Sequence, residues 1–523
     1  MKSSDKFLRG AMILTIAGLL VKVIGSVNRI LLSRLLGGEG IGLYQMAYPV
    51  YLLLLSISAA GIPVAISIIV AEYLAQRDYA NVRQVFRVSL RLMAVVGLVL
   101  AAALVMAAGW LVENGVIKDA RAYYALLALT PAIFFATILA SFRGYFQGHQ
   151  LMTPPAVSQI VEQFIRVVTM VVLAYVLLPY GLEFAAAGAA FGAVPGSLTG
   201  LVVLGGFYRY YKKQWRDEEG ALPGAQLTPA RRLIKRLLLL ALPVSCANVI
   251  VPVTSSIDVL LVPKYLLAAG FSVKEATTQF GYLAGMAQPL LLMATIPTMS
   301  LATSLVPAVS EAMALKRWPL IEEKLATAMK LCCLITVPAA VGMSALAGPI
   351  SRLLYGTGEA AAAIMHSGPA IWFLGLQQVT TGMLQGMGHT NLPMLHMLAG
   401  IVAKLIAVCQ LTNAEYGIAG AAWATNINFG VTAALNILAL QYFKIKFHWL
   451  SICKIIFAAL IMGAAAQALH GLLVGFNYTL ATLAALAGAG VVYAALLPLL
   501  RIVSVAELKQ LPLVKKLAQK LRK

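Results

Sequence analysis

The stretch Leu139–Val168 reads LASFRGYFQGHQLMTPPAVSQIVEQFIRVV. It joins two long apolar runs through a short turn with the Pro154-Pro155 pair. Its marks come back later in the chain. Gln147-Gly148 recurs as Gln385-Gly386, Pro155 as Pro393 and Arg166 as Lys404, each 238 residues on. Outward from this stretch the repeat continues. Tyr180-Gly181 recurs as Tyr416-Gly417, Glu72 as Glu311, and AGAAFGAV (187–194) is echoed by AGAAWATN (419–426). A near-constant offset over several apolar runs is the mark of an internal duplication. An even number of crossings per copy gives both copies the same orientation, with a pseudo-two-fold axis along the membrane normal.

Composition sets the environment. The 523 residues are 61% hydrophobic and 11% charged, with a mean hydropathy of +0.86. Soluble domains carry about 25% charged residues. Apolar runs of about 18 residues or more, each long enough to cross a bilayer, recur along almost the whole chain. Fourteen such segments are counted. With both termini on one side, thirty Lys and Arg fall on that side and six on the other: Arg34, Lys118, Arg121, Lys264, Lys274 and Arg352. This asymmetry follows the positive-inside rule and makes the termini cytoplasmic. The net charge of +21 thus follows membrane topology and not nucleic acid. The start, MKSSDKFLRG, lacks a small-residue cleavage site after its apolar run, so the first run is read as a span.

The expected fold is an all-α polytopic membrane protein of fourteen helices. The expected divisions are an N-lobe at 1–208, a cytoplasmic amphipathic linker at 209–234, a C-lobe at 235–446, two further helices at 447–502 and a basic tail at 503–523. The linker (YRYYKKQWRDEEGALPG in its first half) and the tail suit helices drawn to anionic lipid headgroups; a solvated linker is the other reading. The five cysteines show no metal or redox spacing and read as packing residues. No nucleotide-binding loop or nucleophile set is present, so no enzyme and no cofactor are expected.

Ionisable groups inside spans cost about 2.5–3.5 kcal/mol each on insertion scales, so they face water, a partner or a ligand. Lys22 and Arg29 lie two turns apart on one helical face, with Gly25 and Ser26 between them. This pattern predicts a cationic stripe on a hollow cavity; pairing with a distant acid, or snorkelling of Arg29, is the alternative. Gln159, Glu162 and Arg166 share a face in the fifth span. Glu162 and Arg166 are an i,i+4 pair in the favourable order, either a self-neutralised structural pair or a substrate contact. Lys404 repeats Arg166, but Gly400 stands where Glu162 would recur. Asp258, in the seventh span, is either a proton or cation site or a neutralising partner for Lys22 or Arg29.

Taken together, IGLYQMAYPVYLLLLSISAAGIPVAISIIVAE (41–72), RGYFQGHQLMTPPAVSQIVEQFIRV (143–167), LPYGLEFAAAGA (178–189) and LVPAVSEAM (305–313) resemble the stage V sporulation protein B group of the multidrug/oligosaccharidyl-lipid/polysaccharide exporter superfamily. The resemblance runs over nearly the whole chain. It implies two six-helix lobes plus two helices, and a flippase that moves a lipid-linked sugar precursor of peptidoglycan or spore cortex by alternating access. Related lipid II flippases also carry cations at the positions of Lys22 and Arg34; others of their basic residues fall here opposite Asn28, Leu54 and Gln288. The expected cargo is an undecaprenyl-pyrophosphate-linked sugar, bound by Lys22, Arg29, Arg34, Gln159, Arg166 and Lys404. Glu162 and Asp258 are the candidates for coupling to a proton, sodium or the membrane potential. The expected partners are anionic membrane lipids and cell-wall synthesis enzymes, around a monomeric transporter in the bacterial cell membrane. Three other readings stay open: flipping of a different lipid-linked oligosaccharide, cation-coupled multidrug export, and a non-transporting cell-wall scaffold.

Overall fold

The structure is a computed structural model that describes residues 3–59, 61–218, 227–443 and 449–502. The basic tail at 503–523 and the middle of the linker lie outside the described residues. Among the described residues the chain is helical throughout. In the first half the helices are α1 (Ser3–Ser58), α2 (Ile62–Ala75), α3 (Tyr79–Glu113), α4 (Ala122–Gly148), α5 (Thr153–Leu177), α6 (Leu182–Phe191), α7 (Ala193–Glu218), α8 (Ala230–Ala268) and α9 (Val273–Gly281). The second half continues with α10 (Gln288–Ala294), α11 (Ile296–Ala314), α12 (Trp318–Ala345), α13 (Ala347–Tyr355), α14 (Ala361–Gly386), α15 (Asn391–Leu411), α16 (Gly417–Tyr442), α17 (Trp449–Leu473) and α18 (Tyr478–Leu499). Nine of these helical stretches, or up to ten, are long and apolar enough to cross a membrane.

Several boundaries differ from the apolar runs. The first two runs form one helix, α1, kinked at Gly37 (φ 66°, ψ −173°). The expected linker is helical at both ends, because YRYYKKQWRDE has no Gly or Pro and simply extends α7 to Glu218. The eighth run is broken. It bends by 46° at Thr295, between α10 and α11, with Pro297 in the first turn of α11, and a π-helical turn at Tyr282–Ala287 lies before the bend. Proline cannot donate the ladder hydrogen bond and clashes with the preceding turn, so helices restart at it.

Two compact units divide the chain at residues 286 and 287. The first holds α1–α9 and the second α10–α18. Residues 235–286 open the expected C-lobe by sequence, yet pack with the first unit. The reason is a tight contact: Ser33 Oγ donates to Gly285 O (3.1 Å) and Gln45 Nε2 to Ala284 O (2.5 Å).

Several turns and crossings of the two units match at the offset of the sequence repeat. The α2–α3 turn closes with Arg77 N–H to Leu74 O and Asp78 N–H to Tyr73 O; the α11–α12 turn closes with Lys316 N–H to Met313 O and Arg317 N–H to Ala312 O. This is the Schellman arrangement, which caps the last carbonyls of a helix through one left-handed residue. Arg77 (φ 57°) and Lys316 (φ 52°) take that conformation, 239 residues apart. The α4–α5 and α14–α15 turns match in the same way at Gln150 (φ 58°) and Gly388 (φ 90°). Helix crossings match as well. A Cβ on Gly144 would come 2.7 Å from Pro63 O, and one on Gly382 would come 2.7 Å from Ala302 O. Small residues let helix backbones approach where lipid gives no hydrophobic drive. Around these crossings the first unit buries Ile66, Val70, Phe86 and Leu237. The second buries Val309, Leu325, Cys332, Cys333 and Met383. Both cysteines are thus free packing thiols.

Gly37 has open space where a Cβ would be, so a side chain there is barred by conformation alone. Its φ/ψ pair lies in a region open essentially to glycine, at a cost of about 1–3 kcal/mol for other residues. Gly37→Ala is therefore expected to lower the melting temperature of the purified protein, whereas Gly18→Ala, on the same helix with helical geometry and open space, does not lower it.

Candidate functional site

The polar centre of the first unit is built from α4 and α5. Helix α5 starts at Thr153 with Pro154 and Pro155 in its first turn, where the missing N–H costs nothing. Glu162 and Arg166 follow on one face. Arg166 Nη2 donates to Glu162 Oε1 at 2.6 Å, as the i,i+4 spacing predicts. The other oxygen, Oε2, accepts from Arg143 Nη2 of α4, also at 2.6 Å. The three side chains are 12–21% exposed. One largely buried carboxylate is thus shared by two guanidiniums, and the cluster keeps a net charge of +1. The Nε atoms of Arg143 and Arg166 are buried with no hydrogen-bond partner.

The walls of this cluster come from α7 and α1. A Cβ on Gly196 would lie 2.9 Å from Arg166 Cβ and 3.0 Å from Glu162 O. Glycine there brings α7 onto the ion cluster. From α1, Tyr44, Tyr48 and Tyr51 form a row, with ring centroids 5.3 Å and then 5.8 Å apart. The Tyr51 hydroxyl is buried beside the Arg166 guanidinium without reaching hydrogen-bond geometry. Arg29 lies over the Tyr48 ring at 5.8 Å, within the range of a cation–π contact. An arginine pair, a row of phenols and a third cation at its edge are groups whose chemistry suits an oxygen anion, since guanidinium forks match phosphate oxygens and phenols donate.

Not every expected residue joins this group. Gln159 lies half-buried on α5 one turn before Glu162. Lys22 and Arg34 are exposed on α1. The hollow expected beside Lys22 is filled, because Gln163 of α5 lies against Gly25, where a Cβ would meet its Nε2 at 3.2 Å. Asp258 is buried in α8. Lys404 is buried on α15 of the second unit. There Gly400 packs against Asn428 and Thr432 of α16, and His396 bonds Asn436 (2.7 Å), which donates to Thr380 and Thr381 (3.1 Å each). At the repeat offset, Arg143, Glu162 and Arg166 correspond to Thr381, Gly400 and Lys404. At these positions the second half carries one cation and two neutral residues.

Arg143 was missed by sequence reasoning. It sits five residues before the end of α4 and counts there as a loop charge within snorkelling reach of water. The available signal was its position one turn and a half before a tight turn, which brings it back alongside α5.

A second ionic group lies at the other end of α4, about 33 Å from Arg143 at 1.5 Å per residue. Arg121 bonds Asp119 (2.8 Å) and Glu39 (2.6 Å), Thr277 Oγ1 donates to Asp119 Oδ2 (2.8 Å), and Lys274 lies 3.6 Å from Glu39. Burial pushes the Asp119 carboxyl up, but the hydrogen bonds from Arg121 and Thr277 outweigh it and hold it below its ordinary value.

Comparison with known proteins identifies the class. The polysaccharide biosynthesis protein family matches residues 7–313, and the MatE family matches 283–408. The chain belongs to the polysaccharide biosynthesis protein family, within the multidrug/oligosaccharidyl-lipid/polysaccharide exporter superfamily. It is 32% identical to "Stage V sporulation protein B" of Bacillus subtilis (strain 168) over 521 residues, 98% of this chain and 99% of that protein. It is 27% identical to "Lipid II flippase MurJ" of the same organism, over 77% of each. Among solved structures, a lipid II flippase MurJ in an inward closed conformation matches with a TM-score of 0.70 at 15% identity, covering 93% of this chain and 98% of that one. An inward-facing multidrug resistance MATE family transporter matches with a TM-score of 0.67 at 15% identity, covering 81% and 94%. The protein is therefore a multi-pass membrane transporter or flippase of this superfamily and not an enzyme.

Two tests follow. Removing Glu162 leaves two buried cations uncompensated, whereas removing either arginine leaves Glu162 a partner. Breaking a buried pair costs about 3–5 kcal/mol, and losing one hydrogen bond to a charged group about 1.5–3 kcal/mol. Glu162→Gln is expected to lower thermal stability more than Arg143→Met, and Arg143→Met to rescue part of the Glu162→Gln loss. At the other cluster, the folded Asp119 binds its proton more weakly than the unfolded chain does. Its stabilising contribution is full above the unfolded carboxylate range near pH 4 and is lost progressively below it, as pH falls through the lower folded value. Melting curves of Asp119→Asn should show a lower plateau at neutral pH and a flatter acid limb than wild type.

Proposed function

We propose that the protein flips an undecaprenyl-pyrophosphate-linked sugar, lipid II or a related peptidoglycan or spore cortex precursor, from the inner to the outer leaflet of the bacterial cell membrane. The observation that carries this reading is the buried Arg143–Glu162–Arg166 cluster, cationic after internal pairing and still holding two unpartnered Nε–H groups. Such a head group is doubly anionic and its tail apolar, so it needs a cationic site reached sideways from lipid. The printed names of the relatives, a stage V sporulation protein and a lipid II flippase, support the same substrate class.

On this reading the chain crosses the membrane fourteen times, with both termini cytoplasmic. Two six-helix lobes (1–208 and 235–446) related along the membrane normal are joined by the linker at 209–234, and the 447–502 pair is added. The matching turns and crossings at offsets of 238–239 residues support the duplication. Alternating access then separates the Glu39–Arg121–Asp119–Thr277 group from within, because Thr277 belongs to the second copy and the other three to the first. Arg143 and Arg166 hold the pyrophosphate, with Arg29 at the rim; Lys22, Arg34, Gln159 and Lys404 serve its entry and exit. Asp258 and Glu162 are the groups through which a proton, sodium or the membrane potential acts. A monomer suffices, with cell-wall synthesis enzymes as partners at the surface. The fold likeness to a multidrug transporter also suggests cation-coupled drug export, but the buried charge here has the wrong sign for cationic drugs.

Native mass spectrometry of the purified chain with lipid II and with undecaprenyl pyrophosphate tests the reading. Losing one charge-assisted hydrogen bond of about 1.5–3 kcal/mol weakens binding about ten- to a hundredfold, so Arg143→Met and Arg166→Ala should bind that much more weakly at normal membrane levels. Equal binding by wild type and both variants would assign the cluster to structure and return the cargo to other lipids or drugs.

A further inference from the structure

A groove of about 510 Å³ opens between α1, α2, α3 and α8, away from the arginine cluster. Ile57, Val96, Leu100, Leu238, Leu239 and Leu242 line it, and Lys235 stands at the N-terminal end of the α8 wall. Leu238, Leu239 and Leu242 are 50–63% exposed. Helix geometry gives the groove a depth: from Lys235 to Ser245 is ten residues, about 15 Å, or one leaflet of a hydrocarbon core about 30 Å thick. Its mouth is basic. Arg231 and Arg232, exposed one turn before Lys235, continue the face that carries Leu238, Leu239 and Leu242. Glu72 of α2, at the same end, is already held by Arg236.

We propose that this groove binds one acyl chain of an anionic glycerophospholipid, with its phosphate at Lys235. The volume falls within the range of about 300–1,000 Å³ of single-ligand sites and is enough for one acyl chain. The depth of one leaflet, the apolar walls and the basic rim together fit a lipid standing in its own monolayer. A chain seated there fills the space between α3 and α8, so it bears on how α8 packs against the first copy. The inference is independent of what the arginine cluster binds.

The test is native mass spectrometry of the full chain with phosphatidylglycerol, phosphatidylcholine and undecaprenyl phosphate, on wild type, Lys235→Ala and Leu242→Trp. Wild type should bind phosphatidylglycerol best. Lys235→Ala should weaken that binding about fivefold, the worth of one basic residue at an anionic surface, and leave phosphatidylcholine unchanged; Lys235 is exposed, so its truncation spares the fold. Leu242→Trp should weaken both glycerophospholipids by filling the groove. Wild-type binding of phosphatidylglycerol by both variants would overturn the proposal. So would its displacement by undecaprenyl phosphate, which would assign the groove to a polyprenyl lipid, or a dimer lost only in Leu242→Trp, which would assign it to a second copy of the chain.

Discussion

Two guanidiniums share one carboxylate in a segment otherwise made for hydrocarbon, and much of the first unit is arranged to permit this. In a low-dielectric setting Glu162 is tolerable only with a cation against each oxygen. That demand fixes the rotation of α4 against α5. The short α4–α5 turn, with Gln150 forced into left-handed geometry, holds the two helices side by side. It also explains why α7 carries glycine at 196, where any larger residue would strike Arg166 and the α5 backbone. The tyrosines of α1 then close the remaining side with rings whose faces attract cations.

The comparison between the copies shows what is structural and what is particular. Turn geometry and helix crossings are retained at the offset, down to which carbonyl each turn amide reaches. Polar content is not. Thr381, Gly400 and Lys404 stand where the first copy has Arg143, Glu162 and Arg166, and the space around Gly400 is taken by Asn428 and Thr432. Turn geometry is thus shared where the ionic cluster is not, because the turns depend on chain conformation and the cluster on side chains alone.

The helical, membrane-spanning class was legible from hydropathy, and the matching turns of the two units fall at the offset that a few repeated residues announce. The Glu162–Arg166 pair was legible because i,i+4 contact is a property of one helix. Arg143 was not, because its partner lies across a turn and a charge near a helix end looks solvated. The exposure of Lys22 and the filled space at Gly25 were hidden for a related reason: one helix face can be read from sequence, but the neighbour that covers it cannot. The break in the eighth apolar run shows the same limit, since its prolines announce bending without its angle.

The sharing of Glu162 has a consequence for how the protein is made. Arg143 reaches the membrane first, on a helix that offers it no acid. Its compensation arrives only with Glu162, nineteen residues later on the returning helix. Insertion of α4 alone strands a cation, and insertion of α5 alone sets an acid against a single base. The two helices are electrostatically complete only together, so the α4–α5 hairpin is the smallest segment in which both oxygens of Glu162 meet a cation.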